Sequence, residues 1–436
     1  INGYVLDILQ TIVTHPTEEI LAIACKEGVP IIQQVLLEPE LESEKATALE
    51  LLSILISASS KHPCPINEQG SILANLLQAC FPTVSELLLN IPISADLIIE
   101  SGIKCIFSIF NNGLTPHKVS DDKELTSLTE SQVSQLIQPS LQFISRLLGD
   151  SVSDIACIEI GPLICILLIR CGSLFLSNAE MFFSLLDTVA RRVQKAQLFT
   201  VQQGLLSVIA RLICMNTDAA TQNLQSNGHF NAIIQFWIKE YPQFCEEYLG
   251  KLSLIAFHKL LLSPVSQQLL GNITIPVQTE RASRRNLRSS TGKGNTGDQW
   301  KQVPSPNRLV QLIVGEFVLS CVDDDGLGDE DDFDDYCDSD EGSYNEDNEW
   351  DPLGCDEEDE FNYCGVDDLL GQDDDETGEG LSVVLTKCDP LTITSTKALL
   401  IELLKELFNT VPALIQSEIQ TFSPDEQQLV ASHLQL

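Results

Sequence analysis

Over roughly its first 275 residues the chain repeats one pattern: apolar residues three and four apart, in stretches of about ten to twenty residues, cut by helix breakers. Leu49, Leu52 and Ile56 lie on one such face, and Leu97, Ile98, Cys105 and Ile109 on another. The breakers are Gly28 with Pro30, Pro63 with Pro65, Pro82, Pro92, Gly113 with Pro116, Gly149 and Gly172. Helix-start signals accompany them: Thr17 with Glu18 and Glu19, Ser94 before Ala95 and Asp96, and Ser153 before Asp154. The spacing predicts helices over 17–27, 43–60, 68–80, 83–90, 94–110, 125–148, 153–171, 178–195, 197–214, 217–226, 229–240 and 243–262. Alternating strand patterns are scarce.

Helices this numerous and this apolar do not fit one bundle. Joined by short connections they form hairpins, and each hairpin keeps an apolar face for the next one to cover. The expected fold is therefore all-α, a HEAT-like helical-repeat solenoid of roughly six two-helix units over residues 1–275. Beyond it the composition divides the chain into a flexible basic loop at 276–306, a helix at 307–322, an acidic insertion at 323–380, and C-terminal helices at 381–436 that complete the stack. In the last part Leu399, Leu400, Leu403, Leu404 and Leu407 make an amphipathic helix, and Pro424, Asp425 and Glu426 open another after Ser423.

Charge is distributed unevenly. The chain has 63 acidic and 25 basic residues, a formal charge of −38, and residues 323–379 carry 28 of the acids with no Lys or Arg. A run of this kind buries too little apolar surface to offset chain entropy and repels itself, so it is expected to be disordered. As a flexible coil it spans about 40 Å. Aromatic residues are threaded through it: Phe333, Tyr336, Tyr344, Trp350, Phe361 and Tyr363. Two readings stand side by side. The run is an entropic, solubilising spacer, or it attracts a basic surface at long range and anchors a ring on it. On the second reading the partner-binding residues are Asp329, Glu330, Asp331, Asp332, Phe333, Asp334, Asp335, Tyr336, Trp350, Asp356, Glu357, Glu358, Asp359 and Glu360. Seven Lys or Arg between Arg281 and Arg308, against the single acid Asp298, make the preceding basic loop a linker or a transient cover for the acidic run. At −38 the chain repels nucleic acid overall, so that loop is not read as a DNA or RNA contact.

No constellation proposes a reaction. The six histidines (His15, His62, His117, His229, His258, His433) are dispersed, and no phosphate-binding loop, dinucleotide fingerprint or HExxH occurs. The expectation is a non-enzymatic protein without cofactor or metal. The 14 cysteines are scattered without a CxxC pair, the usage of reduced, buried thiols. Cys337, Cys355 and Cys364 are irregularly spaced and lack a nearby histidine, which argues against zinc. Asp338, Asp340 and Glu349 echo a calcium loop, but Gly342 falls one position early. Ser343, three residues before Glu346, suits an acid-directed kinase. Arg191, Arg192 and Lys195 read as a solvated helix end, and Phe236 with Trp237 as core. Residues 160–169 form an apolar run of about ten, half of a bilayer span, and are expected in the core rather than in a membrane. The opening INGYVLDILQTIV starts inside a helical pattern without a basic leader, so the sequence reads as part of a longer chain.

The last 150 or so residues carry a resemblance. The basic loop runs into Trp300-Lys301-Gln302-Val303-Pro304, then Leu309, Val310, Leu312, Ile313 and Glu316, the acidic insertion, a closing helix at 391–408, and Asp425-Glu426-Gln427-Gln428-Leu429. This order resembles the C-terminal part of the importin-beta (karyopherin) family. The resemblance implies a superhelix of HEAT repeats that wraps basic cargo such as core histones and ribosomal proteins. It also implies passage between cytoplasm and nucleus through contacts with nucleoporins, and binding of the GTPase Ran by N-terminal repeats outside this sequence. The competing reading is a non-enzymatic helical-repeat scaffold or histone chaperone in which the acid is mainly a spacer.

Overall fold

The computed structural model describes residues 18–38, 41–61, 72–114, 117–120, 123–125, 128, 130–149, 151–244, 246–278, 300–324 and 380–434. These residues build an all-α helical-repeat solenoid. Five helical hairpins follow one another: α1 (Glu18–Leu37) with α2 (Glu42–Lys61), α3 (Ile72–Asn90) with α4 (Asp96–Gly113), α5 (Glu130–Leu147) with α6 (Ile160–Ser177), α7 (Ala179–Lys195) with α8 (Phe199–Met215), and α9 (Thr217–Ser226) plus α10 (Phe230–Glu240) with α11 (Glu247–Leu262). Then come α12 (Pro264–Leu270) and α13 (Ser305–Asp324), followed by α14 (Leu381–Cys388), α15 (Thr396–Thr410), α16 (Pro412–Ile419) and α17 (Pro424–Leu434).

Packing skips one helix at a time, the signature of two stacked layers. In the first layer α1 lies on α3 and α3 on α5, then α7 on α9 and α9 on α12. In the second, α2, α4, α6, α8 and α11 pack in succession, and α13 and α15 continue from α11. The middle of the second layer is deeply buried. In α8, Leu205, Leu206, Val208, Ile209, Leu212 and Ile213 are all fully buried, and each such side chain contributes about 1.5–3 kcal/mol by leaving water. Residues 160–168 at the start of α6 are buried as well. The two helices approach closely because Gly161 faces Gly204: a Cβ on Gly161 would lie 2.2 Å from the Gly204 carbonyl oxygen.

Polar rungs join successive hairpins and fix their register. Asp154, in the turn before α6, accepts from the Arg192 guanidinium on α7 and, at 2.9 Å, from the Leu198 amide that opens α8. Arg146 of α5 donates to the Leu88 and Leu89 carbonyls at 2.9 and 3.0 Å, satisfying the C-terminal end of α3. Arg170 on α6 reaches Asn111 on α4 at 3.2 Å, and Thr221 on α9 meets Ser266 on α12 at 2.9 Å.

Several sequence expectations are corrected. Pro30 and Pro82 do not end helices but sit inside α1 and α3. Each is exposed, and burial of residues such as Leu21, Ile32 and Leu36, or Leu76, Leu77 and Val84, outweighs the roughly 3 kcal/mol an interior proline costs. Gly172 does not stop α6 either; the helix kinks at Cys171 and continues to Ser177. The start expected at 125 is displaced to Glu130 by a short antiparallel hairpin of β1 (His117–Ser120) and β2 (Lys123–Leu125). Arg192 is not solvated at all: it is 5% exposed and paired with Asp154, while Arg191 does face solvent beside Asp187. Trp237 is core, with its indole donating to Ser253 at 3.1 Å. Among the described residues no two cysteines form a disulfide.

A second hairpin, β3 (Thr274–Gln278) with β4 (Trp300–Pro304), pairs Thr274 with Pro304 and Gln278 with Trp300 and packs on α13. The ends of the stretch read as basic loop are thus hydrogen-bonded strands, and residues 279–299 lie outside the described residues.

Replacing Gly161 with Ala forces α6 and α8 apart and should cost about 1–3 kcal/mol, seen as a lower urea midpoint. Gly250→Ala in α11, where a Cβ meets nothing within 4 Å, should be neutral or stabilise by up to about 1 kcal/mol.

Candidate functional site

The acidic residues expected to bind a partner, from Asp329 to Glu360, lie outside the described residues, as do the cysteine, calcium-loop and kinase-site readings at Cys337, Cys355, Cys364, Asp338, Asp340 and Ser343. The structure places the two roots of the run instead. It leaves at the end of α13, where Asp323 and Asp324 close the helix, and returns at Gly380. The return is a strap. α14 lies on α6 and α11, the second-layer helices that flank α8, before the chain reaches α15.

The strap is held by polar contacts along its length. At its start the Ser382 hydroxyl donates to Glu246 at 2.6 Å. At its end Asp389 is fully buried, and one nitrogen of the Arg211 guanidinium donates to both its carboxylate oxygens at 2.7 and 2.8 Å. The Tyr248 hydroxyl donates to the same carboxylate at 3.1 Å, and the Leu391 amide does so at 3.0 Å. Lys251, itself paired with Glu247, donates to the Thr392 carbonyl at 3.2 Å. Burial pushes the Tyr248 phenol well above its ordinary range, with Cys165 and the Asp389 carboxylate adding to it. Tyr248 therefore serves as a fixed donor. Leu385 supplies the apolar anchor, fully buried between the polar ends.

The strap begins in a field of carboxylates. Glu159, just before α6, is half-buried; burial first, and Glu246 second, push its carboxyl up to about 7, while Lys104 partly offsets them. Glu100 on α4, paired with Lys104 at 2.8 Å, adds to the same field. On the other side of Glu246 a cavity of about 200 Å³ opens between α11 and α13, lined by Tyr241, Phe244, Glu247, Lys251 and Glu316 among others. Burial raises the Glu316 carboxyl, and the hydrogen bond from Tyr241 works against that rise. Among the described residues no cluster of three His, Cys, Asp or Glu side chains is arranged for a metal ion.

None of these strap contacts was anticipated from the sequence. One signal was available: Arg211 is a lone cation in the apolar stretch VIARLICM, and a buried arginine requires a partner. Nothing local says that the partner is Asp389, 178 residues further on.

Because the folded-state carboxyl of Glu159 titrates near 7 rather than at 4.5, its ionisation removes stability as the pH rises through that window, and the loss is complete above about 7. Glu159→Gln should therefore raise the unfolding midpoint at pH 8 and leave it nearly unchanged at pH 4, as measured by thermal melts in matched buffers.

No family model matches the chain. It is similar to Importin subunit beta-5 of Saccharomyces cerevisiae, with 22% identity over 184 residues. The match covers 40% of this chain and 18% of that protein, so the chain corresponds to less than a fifth of the relative's length. Together with the two-layer helical stack, this similarity supports a distant relationship to the importin-beta family.

Proposed function

We propose that this chain is the C-terminal, cargo-contacting part of a nuclear import receptor of the importin-nine type, which binds and shields basic proteins such as core histones and ribosomal proteins. The observation that carries this reading is the similarity to an importin subunit. The concentration of 28 of the 63 acidic residues in one run supports the choice of a basic partner. Ran is engaged by N-terminal repeats beyond this sequence, nucleoporins are further partners, and the receptor shuttles between cytoplasm and nucleus. The protein acts by binding, without catalysis.

The physical mechanism is electrostatic capture. A basic cargo would otherwise adhere to nucleic acid, and a run of carboxylates competes for it while raising the encounter rate. Asp329–Asp335 and Asp356–Glu360 supply the charge, and Phe333, Tyr336 and Trp350 supply rings that stack on guanidinium or apolar groups once contact is made. Glu246, exposed where the chain returns at Ser382, adds a carboxylate of the same sign on the helical stack.

Calorimetric titration of a core histone dimer into the chain, with and without residues 325–379, tests this. The intact chain should lose about tenfold or more in affinity between roughly 0.1 and roughly 0.5 M salt, and the deletion should bind more weakly with a shallower salt dependence. Equal binding by both would reduce the run to a solubilising spacer and favour the scaffold reading.

A further inference from the structure

Among the described residues three Lys or Arg side chains are more than nine-tenths buried: Lys45 at 8%, Arg192 at 5% and Lys251 at 5% exposed. Two of them have partners. Arg192 is paired with Asp154, and Lys251 with Glu247 and the Thr392 carbonyl. Lys45, in the first turn of α2, has neither an ion pair nor a side-chain hydrogen bond among the described residues. An ammonium buried without a partner costs stability, and an apolar side chain of similar length at the same place does not. Lys45 lines a cavity of about 310 Å³ where the first two hairpins meet, between the end of α1, the start of α2, the end of α3 and the start of α4. Leu36, Leu37, Leu87, Ile91, Pro92 and Ile98 make its walls largely apolar, and Leu37, 67% exposed, carries that apolar surface out to solvent. Two carboxylates, Glu42 and Glu86, line the cavity as well. Both are exposed, where water and salt screen them, and neither is paired with Lys45. Glu42 has its own place at the positive end of the α2 dipole.

We propose that this cavity binds the C-terminus of a partner protein ending in an apolar residue: Lys45 holds the chain-terminal carboxylate, and the apolar walls take the side chain. Charge complementarity names the anion, because a cation this buried gains more from a charged acceptor than an exposed one does. Size names its source. At about 310 Å³ the cavity lies at the bottom of the roughly 300–1,000 Å³ range of ligand sites. That is too small for a helix, whereas a chain terminus brings a carboxylate and an apolar group on one residue. The α3 wall adds further donors. Thr83 supplies a hydroxyl, and the Asn90 amide, which gives one hydrogen to the Glu86 carbonyl at 2.9 Å, has a second to offer. Glu42 and Glu86 disfavour a partner that carries more acids beside its terminus.

Saturation-transfer NMR titrations of the full chain test this with three probes. They are N-acetyl-glycyl-leucine with a free carboxylate, the same dipeptide as its C-terminal amide, and N-acetyl-leucyl-aspartic acid α-amide, whose only acid is on a side chain. The free terminus should bind the wild-type chain at least about tenfold more tightly than either amide. Lys45→Met should abolish that preference. Because it also removes an uncompensated buried charge, it should raise the thermal midpoint by about 1–3 °C, a gain that a lysine held for the fold does not give. A lowered midpoint, or an undiminished preference for the free terminus in Lys45→Met, overturns the inference. So does equal binding of acid and amide by the wild-type chain, or no binding of the free acid, and these two outcomes need no variant. Tighter binding of the side-chain acid overturns the assignment to a chain terminus.

Discussion

No helix in this array can bury its apolar residues within its own hairpin. α8 is the extreme case, with apolar side chains all round its axis, and it is covered only because α6, α7, α9 and α11 enclose it and Asp389 closes on its Arg211. Everything else in the stack follows from this incompleteness. Each hairpin is stable only with the next one on it, so the chain propagates as two layers in which a helix meets the helix two positions on. A close approach, Gly161 against Gly204, lets α6 and α8 meet where that demand is great.

Apolar contact alone would leave the stack free to slide, since hydrophobic burial is not directional. The polar rungs remove that freedom. Asp154 joins Arg192 to the amide that opens α8, and Arg146 closes the end of α3, so orphaned helix-end groups of one hairpin are satisfied by the side chains of another. The Arg211–Asp389 pair follows the same logic over a longer sequence distance. A charge placed deep in the second layer is tolerable only with its partner, and the partner arrives with the strap.

The charge economy of the chain separates into two parts. The buried ions Arg192, Lys251 and Asp389 are paired and structural. Residues 323–379 carry 28 acids and no Lys or Arg, so the run has no cation of its own to balance it, which is the condition for long-range attraction of a basic molecule. The strap is where the two parts meet: its buried end is neutralised by Arg211, and its exposed end enters the field of Glu246 and Glu159.

The sequence by itself determined the helix series, the repeat architecture and the segregation of charge. Spacing such as Leu49, Leu52 and Ile56, or Leu399, Leu403 and Leu407, is a local property, and the structure buries those same residues. Only the tertiary structure decided where breakers break. Pro30 and Pro82 are strong local signals, yet their helices run on because neighbours from other hairpins reward continuity. Arg192 looks like a solvated helix end until Asp154, 38 residues earlier, is folded against it. Arg211 carried a readable demand for a partner but no address, because local periodicity holds no information about a contact 178 residues away. The same limit applied to the candidate site. The acid could be counted in the sequence, whereas its point of return beside Glu246 depended on the seat that α6, α8 and α11 form together.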